Sequence, residues 1–254
     1  MTDYKVLPTN VALAERAAEL IYVAAREAIA ARGWFTIALT GGSSPRQTYE
    51  LLARATPEQM DWSKVFIFLG DDRFVPYSSK DSNYEMCCEL LLNQVPIPKE
   101  QIFPILTDTA TNAEAADKYA ETLSQVFQTP LPGPPPALDM ILLGMGDDGH
   151  CASLFPGMPT LTVQDKWMVP SPPGTLPPPV DRVTMTFPVL NATRFVLFLV
   201  EGAKKAPAVR DILEGGAAVS VHPSAGVQPT HGKLLWLLDR TAAERLSTQQ
   251  SQKP

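Results

Sequence analysis

The spacing of apolar and polar positions divides the chain into alternating helical and extended segments. Residues 10–32 are alanine-rich, with Leu13, Ala17, Leu20, Ile21 and Ala24 at helical intervals. This predicts an amphipathic helix capped by Asn10 and ended by Gly33. Residues 34–39, 65–69, 138–143, 194–200 and 233–238 are short apolar runs of strand length, and residues 182–187 alternate as a strand does. Further helices are predicted over 46–53, with Pro45 at the first position and Ser44 as cap, and over 112–127 and 203–214. Another starts at Asp81 or Ser82 and carries Tyr84, Leu90 and Leu91, and a terminal one runs from Arg240 or Thr241 to Leu246.

Strands alternating with helices predict an α/β fold: a mainly parallel, Rossmann-like doubly wound sheet with helices on both faces. The Pro-rich run 129–136 is a stiff surface connection rather than a domain linker, because the strand that follows continues the same rhythm. Residues 1–254 therefore form a single domain, with 247–254 expected as a disordered polar tail. Three strands run into polar, glycine-bearing turns at 40–44, 70–73 and 144–150. In a parallel sheet the carboxyl ends of the strands share one edge, so these turns can converge on one site.

Composition narrows the partners. A formal charge of −6 argues against nucleic acid, and an anionic small molecule would need a local cluster of Lys and Arg. Cys87, Cys88 and Cys151 make no disulfide framework and fit a reducing compartment. No cationic–apolar leader opens the chain and no run is long enough to span a bilayer, so a cytoplasmic protein without a membrane partner is expected.

The chemistry concentrates in Gly144-Met145-Gly146-Asp147-Asp148-Gly149-His150-Cys151-Ala152-Ser153-Leu154-Phe155-Pro156. Alone, this is equally an acidic surface turn with an incidental histidine. Its Gly144-x-Gly146-x-x-Gly149 spacing matches a dinucleotide fingerprint, but Pro156 and Pro159 stop the helix that such a site needs. Thr40-Gly41-Gly42-Ser43-Ser44-Pro45 is either an ordinary helix cap or a small anion cradle of backbone N–H groups and hydroxyls. It lacks the lysine and spacing of a Walker loop. No G-x-S-x-G elbow and no H-E-x-x-H occur, so a serine hydrolase and a protein metal site are both disfavoured, and no cofactor is called for. Asp71, Asp72 and Arg73 are either a solvated turn or a carboxylate and guanidinium supplied to the same cleft as His150. His222 and His231, in Pro/Gly-rich context, are expected to be surface or packing residues.

With these residues in place the chain resembles the 6-phosphogluconolactonases, and more widely the sugar-phosphate isomerase and deaminase fold group. The resemblance spans residues 8–246. It rests on Leu39 to Pro45, on Gly70-Asp71-Asp72-Arg73 with Ser82-Asn83-Tyr84, and on Gly144 to Pro156. Arg182-Val183-Thr184, Gly202-Ala203-Lys204-Lys205-Ala206 and Trp236-Leu237-Leu238-Asp239 add to it. Deaminases of the group continue past the histidine with an Ala-Phe-Asn-Glu-Pro-like segment, whereas Ala152 to Pro156 follows the lactonase pattern. Cys151 departs from it, standing where threonine is common.

The resemblance implies hydrolysis of 6-phospho-D-glucono-1,5-lactone to 6-phosphogluconate in the oxidative pentose phosphate pathway by a monomer. His150 would be the general base, with Asp148, or alternatively Asp147, orienting it. Arg73 and backbone N–H groups from Gly146 to Gly149 would stabilise the oxyanion. By analogy with the fold group, the phosphate would lie at Gly41, Gly42, Ser43 and Ser44 with Arg182 and Lys205. Asp72 would bind sugar hydroxyls or assist the base. The rivals are a hexosamine-phosphate isomerase or deaminase, whose Asn-Glu marker is missing, and a non-catalytic sugar-phosphate sensor, for whose extra module the chain leaves no room.

Overall fold

A computed structural model describes residues 3–174 and 178–247. Chain order is β1 (Asp3–Leu7), α1 (Asn10–Arg32), β2 (Phe35–Leu39), α2 (Arg46–Leu52), β3 (Val65–Leu69), β4 (Asp71–Arg73), α3 (Asn83–Cys87) and α4 (Asn112–Phe127). It continues with β5 (Met140–Leu143), β6 (Met168–Ser171), β7 (Arg182–Met185), α5 (Phe187–Ala192), β8 (Phe195–Val200), α6 (Ala206–Leu213) and β9 (Lys233–Asp239).

Six strands form one parallel sheet in the order β1-β9-β8-β5-β2-β3. β2, β5 and β8 are buried along almost their whole length, as expected for strands covered on both faces. The chain leaves β2 for β3 on one side, then returns to place β5 on the other. The boundary between β2 and β5 is thus the topological switch point, where a crevice opens beyond the carboxyl ends of the strands.

Long periodic elements formed where the residue pattern places them. α1 buries Leu13, Ala14, Ala17, Ala18, Ile21, Ala25 and Ala28 along one stripe, their small side chains letting it lie close to the sheet. Gly33, at φ +88°, ends it in the left-handed conformation. Its cap is Thr9, not Asn10: the Thr9 hydroxyl accepts from Ala12 N at 3.1 Å. α2 starts at Arg46 with Pro45 at its cap position and no side-chain cap bond, so Ser44 does not serve as predicted. α3 is capped by Ser82 and runs directly into a π-helical turn, Cys88–Leu92.

Three further expectations change. The edge strand β1 was not predicted; it pairs in parallel with β9 from Asp3↔Leu235 to Leu7↔Asp239. The predicted helix near 240–246 is a series of turns, although the Asp239 carboxylate accepts from Ala242 N at 2.6 Å, as a cap does, and from the Thr241 hydroxyl at 2.8 Å. Ser247 is tied to Glu214 at 2.9 Å, and the remaining tail, 248–254, lies outside the described residues. Residues 71–73 are a strand rather than a plain turn, because β4, β7 and β6 build a second, antiparallel sheet of three strands. That small sheet sits at the carboxyl edge of the large one: Met185 N donates to Gly70 O at 2.8 Å. Among the described residues no helix is long and apolar enough to cross a membrane.

Candidate active site

The loop after β5 folds back on itself. Gly146 N donates to His150 O at 2.9 Å and Gly149 N to Gly146 O at 3.0 Å, closing a tight turn around Asp147 and Asp148. A side chain at Gly146 would run into the His150 ring and the Asp148 carboxylate, so glycine is what lets those groups meet over the backbone. Asp148 Oδ1 lies 2.7 Å from His150 Nδ1 and also accepts the His150 backbone N–H at 3.1 Å. Since a carboxylate only accepts, Nδ1 carries a proton, and in the neutral imidazole Nε2 is then the nitrogen that keeps its lone pair. Burial pushes the Asp148 carboxyl up, but the hydrogen bonds and charge of His150 outweigh it and hold the group below its ordinary range.

The second sheet locks this loop in place. Ser153 N donates to Thr184 Oγ1 at 3.1 Å, the Ser153 hydroxyl to Asp71 Oδ2 at 2.6 Å, and the Ser171 hydroxyl to Ser153 O at 2.6 Å. Phe155, within the same loop, packs its ring 4.7 Å from that of His150, and the Arg182 guanidinium stands 5.3 Å from the Phe155 centroid.

Register in the small sheet sets the cationic side. Arg73 on β4 is paired directly with Arg182 on β7. Like charges opposite one another in an antiparallel pair repel, and such a pairing is unfavourable unless an anion lies between or beside them. Arg182 is 4% exposed, and burial lowers its pKa, as does Arg73, with Asp71 opposing. Among the described residues the Nε groups of both arginines are buried without a protein acceptor, although Arg73 Nη1 reaches Asn83 Oδ1 and Asp81 O, and Arg182 Nη2 reaches Pro178 O.

On the far wall, the Tyr49 hydroxyl accepts from Thr40 N at 2.9 Å and donates to Thr40 O at 2.8 Å, which fixes the turn leaving β2. Gly41 has no room for a Cβ because the Asn83 amide occupies that space. Asn83 in turn donates to Asp71 O at 3.0 Å. Lys205, in the 3₁₀ turn that precedes α6, closes the cavity, its Nζ 2.6 Å from Asp147 Oδ1.

These walls enclose a cavity of about 190 Å³. Of the predicted residues, Gly41, Gly42, Ser43, Ser44, Arg73, Gly146, His150, Arg182 and Lys205 line it. Asp148 stands behind His150 rather than in the lining, and Gly149 is buried behind the loop against His222. Lys204 is exposed and outside the lining, which separates it from Lys205.

Asp72 needs correcting. Its side chain is fully buried, and its two oxygens accept from Arg73 N at 2.7 Å, Asn83 N at 2.6 Å, Tyr84 N at 3.0 Å and the Ser82 hydroxyl at 3.3 Å. Burial pushes its pKa up to about 6 against the lowering by those N–H groups. Asp72 holds the start of α3 to β4, and so places Asn83; it does not line the cavity. Asp71, weighed in the sequence as a carboxylate for this cleft, lines it. Sequence reasoning missed Asn83 and Phe155 as parts of this site, and also Asp147 as the partner of Lys205. Asn83 stood in the quoted motifs, so it could have been found; Phe155 carried only the signal of a core apolar residue.

A switch-point crevice with a carboxylate-oriented histidine and a cluster of Arg and Lys defines an α/β enzyme built for a small anionic substrate. The family described as glucosamine-6-phosphate isomerases/6-phosphogluconolactonase matches residues 8–236, and the chain belongs to it. The 6-phosphogluconolactonase of a Nostoc species is 41% identical over 243 residues, covering 96% of this chain and 98% of that protein. The protein of the same name from a Synechocystis species is 42% identical over 241 residues, covering 95% and 97%. Among solved structures, 6-phosphogluconolactonase from Trypanosoma brucei superposes with a TM-score of 0.86 at 30% identity, over 97% of this chain and 99% of that one. A monomeric glucosamine-6-phosphate deaminase shares the fold at TM-score 0.78 and 19% identity, over 96% of this chain and 100% of that one.

Proposed function

We propose that this chain hydrolyses 6-phospho-D-glucono-1,5-lactone to 6-phosphogluconate, as the names of its relatives state for them. The observation that carries the mechanism is the 2.7 Å contact between Asp148 and His150 Nδ1, which leaves Nε2 as a base in a cavity shared with Arg73, Arg182 and Lys205. Water attacks C1 of the lactone while Nε2 takes its proton, and the carbonyl oxygen becomes an oxyanion. Arg73 stabilises that charge; the N–H groups of Gly146 and Gly149, expected to share in this, are instead engaged within the loop itself. The C1–O5 bond then breaks, and the imidazolium returns the proton to O5, which departs as the 5-hydroxyl. The new carboxylic acid loses its proton to solvent.

The phosphate binds to Gly42, Ser43 and Ser44 together with Arg182 and Lys205, the flexible lysine exchanging Asp147 for a phosphate oxygen. We infer that the protein acts as a monomer in the cytoplasm.

The test is hydrolysis of freshly generated lactone, coupled to 6-phosphogluconate dehydrogenase. Wild type should accelerate the reaction over its spontaneous rate, and His150→Ala should lose about 10²–10⁴-fold in kcat. Binding of 6-phosphogluconate should survive that substitution. No acceleration by folded wild-type protein would overturn the activity, and wild-type turnover in His150→Ala would remove the base.

A further inference from the structure

His222 lies outside the cavity and belongs to none of the groups assigned above. Its position is nevertheless specific. Nδ1 is 3.1 Å from the backbone oxygen of Asp148, the residue that orients His150. A carbonyl oxygen only accepts, so Nδ1 is the donor. The opposite ring nitrogen, Nε2, faces Asp211 Oδ2 at 3.5 Å. The ring also fills the space beside Gly149, where an added Cβ would stand 2.5 Å from Nδ1, and Gly149 adopts φ +81°. Two residues on, Ser224 N donates to Gly149 O at 2.9 Å. Consecutive carbonyls of the base-bearing loop, at Asp148 and Gly149, are thus gripped from one short segment.

The other end of this contact leads back to the cationic wall. Asp211 lies on α6, and α6 follows directly on Lys205, whose ammonium meets Asp147. The 3₁₀ turn and the helix it leads into therefore reach the loop at two places: Lys205 meets Asp147 directly, and Asp211 meets His222, which bonds to Asp148 O.

We propose that His222 is a positioning residue for the reaction, holding the Asp148–Gly149 peptide so that the Asp148 carboxylate stays aligned on His150 Nδ1. The proposal rests on lactone hydrolysis at His150. Loss of the Nδ1 donor frees the Asp148 carbonyl to rotate, which tilts the carboxylate and the imidazole with it. The phosphate-binding groups keep their places. The deficit therefore falls on kcat rather than on KM.

The test compares three substitutions in the full chain by steady-state lactone hydrolysis, with product binding measured by calorimetry. His222→Asn keeps an N–H near the Nδ1 position; His222→Gln reaches the Nε2 position instead; His222→Leu has neither. We expect His222→Leu and His222→Gln to lose about tenfold in kcat, the scale on which small misplacement of a catalytic group is felt. KM and 6-phosphogluconate affinity should stay within about twofold, and His222→Asn should recover most of the turnover. Equal kcat for the Asn and Gln variants, or a loss confined to KM, overturns the proposal even if the Leu variant does not fold. An active wild type with wild-type-like variants would remove His222 while sparing the lactonase reading; an inactive wild type would sink both.

Discussion

Lys205 Nζ lies 2.6 Å from the Asp147 carboxylate, so the lysine nearest the cavity already holds an anion of the protein's own. An incoming phosphate competes with Asp147 for it. Asp147 is 38% exposed, so the pair is weak and opens at little cost. Lys205→Ala should raise KM by about tenfold or more, the worth of a charge-assisted hydrogen bond. Asp147→Asn should act in the opposite direction, lowering KM and the 6-phosphogluconate dissociation constant by about two- to fivefold at low salt, with a gain that shrinks as salt screens the site. Steady-state kinetics at two ionic strengths checks both; a raised KM in Asp147→Asn would mean that the carboxylate positions Lys205 for substrate instead of competing for it.

Asp148 acts on His150. Its oxygen selects the Nδ1–H tautomer of His150. An asparagine amide can present its own N–H to Nδ1, which moves the imidazole proton to Nε2 and removes the base at unchanged geometry. Asp148→Asn should therefore lower kcat by about 10²–10⁴-fold while KM moves little, as a wrong tautomer does in other histidine-based hydrolases. An Asn variant within threefold of wild type, on the same assay, would show that the carboxylate is not needed for the tautomer.

Much of this architecture was open to inspection in the residue pattern, and the exceptions share a cause. α1 and β5 formed as read because their periodicity is long or their apolar content dense. The convergence of residues 40–44 and 144–150 followed from parallel strands alone. The second sheet did not, because Asp71-Asp72-Arg73 and Met168-Val169-Pro170-Ser171 have no strand composition and pair only through long-range contact. Asp72 was misread for the same reason: a sequence displays a carboxylate but not the three backbone N–H groups that occupy it. The Ala242-Ala243-Glu244 segment has helical propensity and the Asp239 carboxylate caps its first turn, yet so short a segment does not continue as a helix. His222 was taken for a surface or packing residue because its partner is a backbone oxygen, which carries no residue-type signal.

Phe155 offers a test of how the apolar part of the motif serves the polar part. The ring is 2% exposed and touches both the His150 imidazole and the Arg182 guanidinium. Phe155→Ala should destabilise the fold by about 3–5 kcal/mol, the range for deleting a buried aromatic side chain. Phe155→Leu keeps most of the volume and should stay folded, but it removes the aromatic face. Its KM should rise by about two- to fivefold, the size of a cation–π contact of ~0.5–1 kcal/mol. Thermal melts and kinetics on the same preparations separate the two effects; a Leu variant with wild-type KM would make Phe155 a packing residue only.

Glu201, at the carboxyl end of β8, makes stability depend on pH. Burial pushes its pKa up to about 7, and the Asp239 carboxylate adds to the shift. A carboxyl whose folded pKa is raised stabilises the native state fully below its unfolded pKa, which for glutamate is about 4.3. As pH rises from there to about 7, the unfolded chain gives up the proton first, and that stability is lost progressively. Above pH 7 both states are ionised and the penalty is constant. Glu201→Gln carries a neutral group of the same shape at every pH. Its melting temperature should therefore match that of wild type near pH 4, exceed it increasingly between pH 5 and pH 7, and stay above it by a constant margin at pH 8. Asp239 keeps its hydrogen bonds to Gly202 N, Ala242 N and the Thr241 hydroxyl in the folded protein. A pH-independent difference in melting temperature would show that Glu201 titrates in the folded protein as it does in the unfolded chain.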